Sequence, residues 1–495
     1  MPTFFSILPL ILFTFLLLYK KQSLLKSSVF ALGLTVLLVL CFWKILPQPL
    51  FISCAKGFFI AWDIFVIILG AIFFLEILRD LKIIDSLSYY LETVSKDYRV
   101  QVIILAWFFE NFLEGTAGFG TPAAVVAPLL IGLGLSPISA VIVALLGNSA
   151  SVVFGAAGTP IRVGFAGLNV ASVPLISAWI NCVGLLVPIF ILYFLVKGKK
   201  DSKKQFFEAL PFAIWSGVAF VLPSIAAVFI GQEFPSILGA VVGLALILLT
   251  ARFGIFMPSK VRRLKTATKP KNIIGPFKVF TPYVLLIILL IAGKIIFGNL
   301  SFIIPFGINH KINLFNPGLS FMATGIILAV VWRVKKAIMI DSVQVAIKRT
   351  VEPFLVIVCM SAMVQLMTSS GQNTSGLPSS IALIAKNFEN ILLPFVAPFI
   401  GAFGSFVTGS ATISNIMFGN FISIASTAMN FDVSKILALS VVGAAAGNMI
   451  ALADILSAEA VVGLKNNERH VLRGVIVPCL IYLFLLGIIG VFISF

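Results

Sequence analysis

Residues 110–122 read ENFLEGTAGFGTP, and residues 401–415 read GAFGSFVTGSATISN. Both stretches are rich in glycine and hydroxyls, and both lie inside otherwise apolar sequence. Glycine weakens a helix, and an interrupted helix at membrane depth is tolerated only where it is buried in protein or lines a cavity. Two such breaks in matching halves of a chain point to a substrate site. The pair therefore predicts an all-α polytopic membrane protein built to move a solute.

The sequence around the breaks agrees. Of the 495 residues, 60% are hydrophobic, and the mean hydropathy is +1.13. A soluble domain is about half apolar, so this surplus needs lipid. Apolar runs long enough to cross a bilayer recur from end to end and predict about 12–14 transmembrane helices, with the remaining pieces re-entrant or half-helices. The alternation of an outer-membrane barrel is absent. The polar stretch 369–380, SSGQNTSGLPSS, is the expected outer loop, followed by a short amphipathic piece.

A net charge of +17 would suit nucleic acid, but its placement does not. Stretches 20–26, 79–99, 197–204, 252–278, 333–349 and 457–473 hold 28 of the 35 Lys and Arg. Basic residues gathered in loops between apolar runs mark the cytoplasmic side. No nucleic-acid partner is expected. The longest of these loops carries Lys260, Arg262, Arg263, Lys265, Lys269 and Lys271 with no acid, and suits anionic headgroups, so membrane lipid is an expected partner. The N-terminal run has its charges, Lys20 and Lys21, after the apolar segment. It reads as a retained first helix with its N-terminus outside, because a cleavable signal has the opposite order. The five cysteines are scattered, and the two histidines, His310 and His470, stand alone. Neither a metal site nor a cofactor is expected.

The chain reads as one integral membrane domain. A first signature half covers about 60–196, a second covers about 351–494, and connecting helices fill 197–350. Each half has a break, an apolar helix, a turn and a helix ending in a Gly-Asn pair. The pairs are Gly147-Asn148 and Gly447-Asn448. Small residues at these pairs also serve close helix packing. Taken literally, the basic loops make the halves parallel. Re-entrant pieces would supply the odd offset of an inverted repeat, and the sequence leaves both arrangements open.

Charges within apolar sequence are costly and need a partner, a cavity or a role. Glu110 and Glu114 are four residues apart, share a helix face and repel if both ionise, so they are candidates for carrying a proton. The plainer reading of Glu114 is a cap on the broken backbone. Arg162 is a candidate anion partner, a snorkelling residue, or the counter-charge of Glu110 or Glu114. Lys294 reads as snorkelling. Asp454 reads as lying at the cytoplasmic end of its helix near Lys465 and Arg469, or else in the same cavity as Asn448. Gly115, Gly118 and Gly120 open backbone N–H groups, and a helix starting near Thr121-Pro122 turns its positive end to the cavity. In the second break Thr408, Gly409, Ser410 and Thr412 supply caps and donors. Two facing helix N-termini suit a small carboxylate, and Asn148, Asn415 and Asn448 can read its hydroxyl.

These residues carry a resemblance. FLEGTAGFGTPAAVVAPLLIGLG (112–134) with GNSASVVFGAAGTP (147–160) resembles the first signature region of the bacterial L-lactate permease family. TGSATISN (408–415), GNMIALADILSAEAVVGL (447–464) and the basic turn ending in VLRG (471–474) resemble its second. The resemblance covers roughly 60–490 and implies a secondary transporter of the bacterial inner membrane that imports lactate or glycolate with protons. It implies substrate-binding roles for Gly115, Gly118, Gly120, Thr121, Asn148, Thr408, Gly409, Ser410, Thr412, Asn415 and Asn448, and a role for Glu114. By analogy alone, it implies a hairpin-bearing domain moving against a scaffold. The rival readings are a sodium-coupled carboxylate transporter or ion antiporter of similar architecture, an integral lipid enzyme, and a structural scaffold. The lipid enzyme lacks a His-rich motif and a catalytic domain, and the scaffold explains neither break.

Overall fold

In the computed structural model, residues 2–118, 120–264, 274–305 and 311–494 are described. Lys265, Lys269 and Lys271 of the long basic loop, Phe119 of the first break and His310 lie outside these residues. Helices α1 (Pro2–Leu18), α2 (Leu24–Cys41) and α3 (Pro47–Asp80) lead into the short α4 (Ile83–Thr93). Next comes one rod made of α5 (Tyr98–Ile103), a π-helical turn (Ile104–Phe109) and α6 (Glu110–Thr116). After a break follow α7 (Thr121–Gly132), α8 (Pro137–Gly147), a 3-10 segment (Ala150–Phe154) and α9 (Gly155–Arg162). Helices α10 (Val173–Ile180) and α11 (Val187–Val196) are joined by a 3-10 turn. The middle of the chain holds α12 (Ser202–Val228), α13 (Pro235–Arg252) and α14 (Pro276–Phe297), then the β1–β2 hairpin (Ser301–Ile303, Lys311–Asn313), α15 (Pro317–Val331) and α16 (Lys336–Ser369). The last part is α17 (Ser380–Ala385), α18 (Leu393–Thr408), α19 (Ala411–Ala428), α20 (Val433–Asn448), α21 (Leu452–Val461) and α22 (Glu468–Ser494).

Nine helices or near-continuous pairs are long and apolar enough to cross a membrane, and the α8–α9 pair, bent by 43°, adds a tenth. With the shorter apolar helices α1 and α15, the described residues make twelve passes, within the expected range. This is an all-α polytopic membrane protein.

The remaining elements form two hairpins. Gly118 and Gly120 have φ of 58° and 72°, and Gly409 has φ of 70°. This left-handed backbone costs a Cβ-bearing residue about 1–2 kcal/mol, which is why glycine marks each reversal. Helix α7 folds back against α6 and the π turn. Helix α19 folds back against α18, where Ser414 Oγ donates to the carbonyl of Gly401 at 2.7 Å. Ser410 caps α19, Ser136 caps α8 and Asp432 caps α20.

The two hairpins enter from opposite sides. The rod α5–α6 starts at the basic end, where Tyr98 N–H donates to Arg262 O and Arg99 bridges Asp97, Glu208 and the carbonyls of Gln205 and Lys260. Arg99 is fully buried, and these bonds satisfy its guanidinium there. The α18–α19 hairpin starts at the other end, beyond the 369–380 segment. That segment meets the α2–α3 turn through Trp43 Nε1 donating to Pro378 O and a bridge between Ile45 and Asn373. Lys435, at the start of α20, reaches Ile493 O at the far end of α22. Helices α8–α9 and α20–α21 therefore run in opposite directions through the bilayer, and the repeat is inverted. The basic loops could not reveal this, because a re-entrant hairpin adds two apolar pieces without changing sides.

Candidate functional site

Four helices end and four begin around one point at mid-membrane. Here α6, α8, α18 and α20 stop, and α7, α9, α19 and α21 start. The interlock is reciprocal: α7 packs on α21, and α19 packs on α9. Glycines of the two Gly-Asn pairs permit it. Gly147 lies on the carbonyl of Ala106 in the first hairpin's outer arm, and Gly447 lies on the carbonyl of Ala402 in the second's. Neither position has room for a Cβ. For these glycines the packing reading holds, and the asparagines beside them are left to face the centre.

A small cavity of about 20 Å³ lies there, lined by Glu114, Gly118, Gly120, Val152, Gly155, Ala156, Pro160, Gly409, Ser410, Ala411, Thr412 and Asn448. It has room for about one water and is too small for a hydroxy acid. Its wall includes a strained turn, because Ala156 and Ala157 have φ of 41° and 53° ahead of Gly158 at 79°. Non-glycine residues hold such backbone only where surroundings impose it, and such sites cluster at ligand clamps.

The side chains around the cavity have unmet polar capacity. Glu110 is fully buried, with no protein partner on either carboxyl oxygen. Its Oε2 faces Gly147, where a methyl group would sit only 2.8 Å away. Glu114 faces Gly155 and Gly118, with Asn148 near its carboxyl. The Oδ1 atoms of Asn148, Asn415 and Asn448 and Oε2 of Glu114 are buried without a partner. Buried polar atoms are paired in the great majority of cases, so this many orphans around one cavity are the feature to explain. The π turn just before Glu110 is a local register shift of a kind that recurs at functional sites.

Most of the expected residues come together here. Gly118, Gly120, Gly409, Ser410, Thr412 and Asn448 line the cavity with Glu114. Thr121 and Thr408 instead brace the turns. Thr121 Oγ1 donates to Gly118 O at 2.8 Å, and Thr408 Oγ1 donates to Gly404 O at 2.8 Å while accepting from Ser410 N–H. Gly115 packs against Ile237 and Ser236 of α13, away from the cavity. Asn415 Nδ2 donates to Pro160 O at 2.9 Å, with Oδ1 free.

Arg162 is not brought to the carboxyls of Glu110 and Glu114. Its Nη2 donates to Phe315 O at 2.8 Å and its Nη1 lies 3.7 Å from Glu233 Oε1, at the outer end. Lys294, expected to snorkel, contacts the same Glu233 at 3.1 Å. Glu233 is 2% exposed and shared by both cations. Of the two readings of Asp454, the helix end beside Lys465 and Arg469 is not where it lies, and the one nearer the centre is the closer description. The chain breaks at 449–451, so Asp454 falls in the first turn of α21 with Oδ1 against Gly120 and Gly409. A continuous helix through NMIALAD hides that turn.

A second cavity, of about 700 Å³, reaches this centre from the basic end. Its walls include Leu24, Lys348, Arg349, Glu352, Asp454 and Ser457, and its floor is Gly120, Thr408, Gly409 and Ser410. The floor residues Gly120, Gly409 and Ser410 also line the small cavity. Among the described residues, no group of three or more His, Cys, Asp or Glu is placed to hold a metal ion.

The chain matches known proteins along its length. The L-lactate permease family model matches residues 3–304 and 294–495. The chain belongs to the L-lactate permease family. It is 28% identical to a putative L-lactate permease of Haemophilus influenzae over 84% of each chain. It is 26% identical to the L-lactate permease of Bacillus subtilis over 98% of this chain and 94% of that one. It is 27% identical to the glycolate permease of Escherichia coli over 98% and 94%. Membership makes it a transporter rather than an enzyme, and a multi-pass protein of the bacterial inner membrane.

Proposed function

We propose that the chain imports a small 2-hydroxy monocarboxylate, lactate or glycolate, together with protons. The observation that carries this is the pairing of an anion-favouring centre with adjacent carboxyls. The starts of α7, α19 and α21 converge on a cavity lined by the hydroxyls of Ser410 and Thr412 and by Asn448, whose amide oxygen is unpartnered. Helix starts carry partial positive charge and free N–H groups, so a carboxylate can bind without a fixed cation. The relatives named for lactate and glycolate supply the substrate class.

In this reading the carboxylate rests on the backbone of Gly118, Gly120 and Gly409 with the hydroxyls of Ser410 and Thr412. Asn148, Asn415 and Asn448 read the 2-hydroxyl. Glu114, with Glu110 behind it, carries the proton. A protonated carboxyl beside a bound anion makes the loaded centre less charged, which lowers the cost of carrying it past the lipid. The cavity must widen to admit substrate, and the basic vestibule is the cytoplasmic exit. The two hairpins and the two broken helices form the transport unit.

The test is uptake of labelled L-lactate and glycolate into proteoliposomes under imposed pH or sodium gradients. Accumulation driven by the pH gradient in sodium-free buffer supports the reading. Accumulation that requires sodium transfers the coupling to a cation at the breaks.

A further inference from the structure

We propose that Asp454 passes the coupled proton between Glu114 in the small cavity and water in the cytoplasmic vestibule. The inference rests on the reading of the chain as a proton-coupled carboxylate transporter and names a residue that reading does not use. Its basis is the arrangement of compartments. Glu114 lines the small cavity and not the vestibule, whereas Asp454 lines the vestibule and not the small cavity. The wall between them is the pair of hairpin tips, Gly120 with Gly409 and Ser410. Asp454 Oδ1 lies against that wall, 2.6 Å from where a Cβ on Gly120 would be, and Glu114 Oε1 lies 3.4 Å from the same position on Gly118. The two carboxyls are close enough to interact electrostatically across the turn.

A second observation concerns Asp454 itself. It is 6% exposed, and its buried Oδ2 has no partner. A carboxyl at the first turn of a helix ordinarily takes backbone N–H bonds, but the cap of α21 is Ala451 and makes no side-chain bond. The electrostatic surroundings suit a group that changes charge. Helices α7, α8 and α18, all packed on α21, bring no titratable side chain. From α6 come Glu114 and Glu110. On α21 itself the other acid is Glu459, near Glu468 of α22. Arg469, His470 and Arg473 lie at the start of α22, while its Cys479 and Tyr482 are bonded to Ala446 and Asn181. Across the vestibule stand Lys348, Arg349 and Glu352, with Arg349 held by Glu76 at 2.8 Å.

The step balances simply. As the substrate anion leaves, the Glu114 O–H bond breaks and its proton forms an O–H bond on the Asp454 carboxylate, directly or through water. Asp454 then gives that proton to vestibule water, and both carboxyls are ready for another cycle. Glu114 lines only the small cavity and Asp454 only the vestibule, so the proton passes at the tips they share, Gly120, Gly409 and Ser410.

The experiment compares wild type with Asp454→Asn and Asp454→Glu in proteoliposomes, using labelled L-lactate. Two rates are read: uptake driven by the pH gradient, and counterflow, which needs no net proton release. The ratio of driven uptake to counterflow should fall about tenfold or more in D454N, the range for losing a positioned proton carrier, and recover in D454E. An unchanged ratio in D454N overturns the proposal. If wild type itself shows no pH-driven accumulation, the proton-coupled reading fails, separately from Asp454. Should D454N not fold, wild-type protein decides. Dicyclohexylcarbodiimide attaches to protonated carboxyls, so mass spectrometry should find its adduct on Asp454 increasing as pH falls. No adduct on Asp454 at any pH overturns the proposal.

Discussion

Asn415 Nδ2 donates to the carbonyl of Pro160 at 2.9 Å, linking the inner arm of the second hairpin to the broken helix of the first half. The bond joins residues 255 positions apart in the chain. It leaves Asn415 Oδ1 buried and unpartnered, and Pro160 itself lines the cavity. One side chain thus closes the repeat interface and keeps an acceptor available for a ligand hydroxyl.

Asn415→Ala should therefore cost stability and affinity together. Removing the donor leaves a buried carbonyl unmet, worth about 1–3 kcal/mol. Asn415→Asp should do no better, because the carbonyl needs a donor. Thermal melting in detergent and the KM for lactate are the readouts. If N415D keeps both values, the bond to Pro160 is not what positions the residue.

Glu114→Gln tests coupling. The amide keeps the size and the place near Asn148, but it cannot load or release a proton. Uptake driven by a pH gradient should be abolished while counterflow of labelled lactate persists. Gradient-driven uptake at the wild-type rate would remove Glu114 as the coupling group.

The sequence showed both breaks because glycine, proline and hydroxyl residues are conspicuous in apolar runs. GTAGFGTP and VTGSAT each contain a left-handed glycine and end at a helix start. The Gly-Asn pairs were visible for the same reason. The sequence does not decide between the two readings of Asp454, because MIA, where the second broken helix turns at 449–451, is ordinary helical sequence. The π turn over ILAWFF left no mark either, since any apolar run can carry it. Inverted topology was hidden because loop charge reports sides and not the depth a hairpin reaches. For Arg162 the sequence leaves three readings open: anion partner, snorkelling residue, or counter-charge of Glu110 or Glu114. Its partner Glu233 lies seventy-one residues on and only tertiary structure brings it close.

Gly155→Ala is a steric probe of the Glu114 position. Gly155 has φ of −62°, a backbone that alanine accepts. The added Cβ would fall on the Glu114 carboxyl, so the cost is overpacking of about 1–3 kcal/mol without backbone strain. Driven uptake should fall in G155A. Adding Glu114→Asp, which shortens the side chain, should recover part of that loss. A double-mutant cycle measures the coupling between the two positions. A coupling of zero would mean that the carboxyl points elsewhere.

The outer-end cluster gives the last prediction. Glu233 is the hub, with Arg162 and Lys294 both turned to it, and Arg162 also holds Phe315 O. Glu233→Gln leaves two cations with no counter-charge, so it should lower the melting temperature by the equivalent of about 1–3 kcal/mol. Arg162→Gln leaves the Glu233–Lys294 pair intact and should cost less. Because Arg162 lies outside the cavity wall, R162Q should keep the KM for lactate within about threefold, the signature of a residue that does not bind substrate. Steady-state uptake and detergent melting curves check both. A tenfold rise in KM with unchanged melting would make Arg162 an anion ligand at another stage of transport.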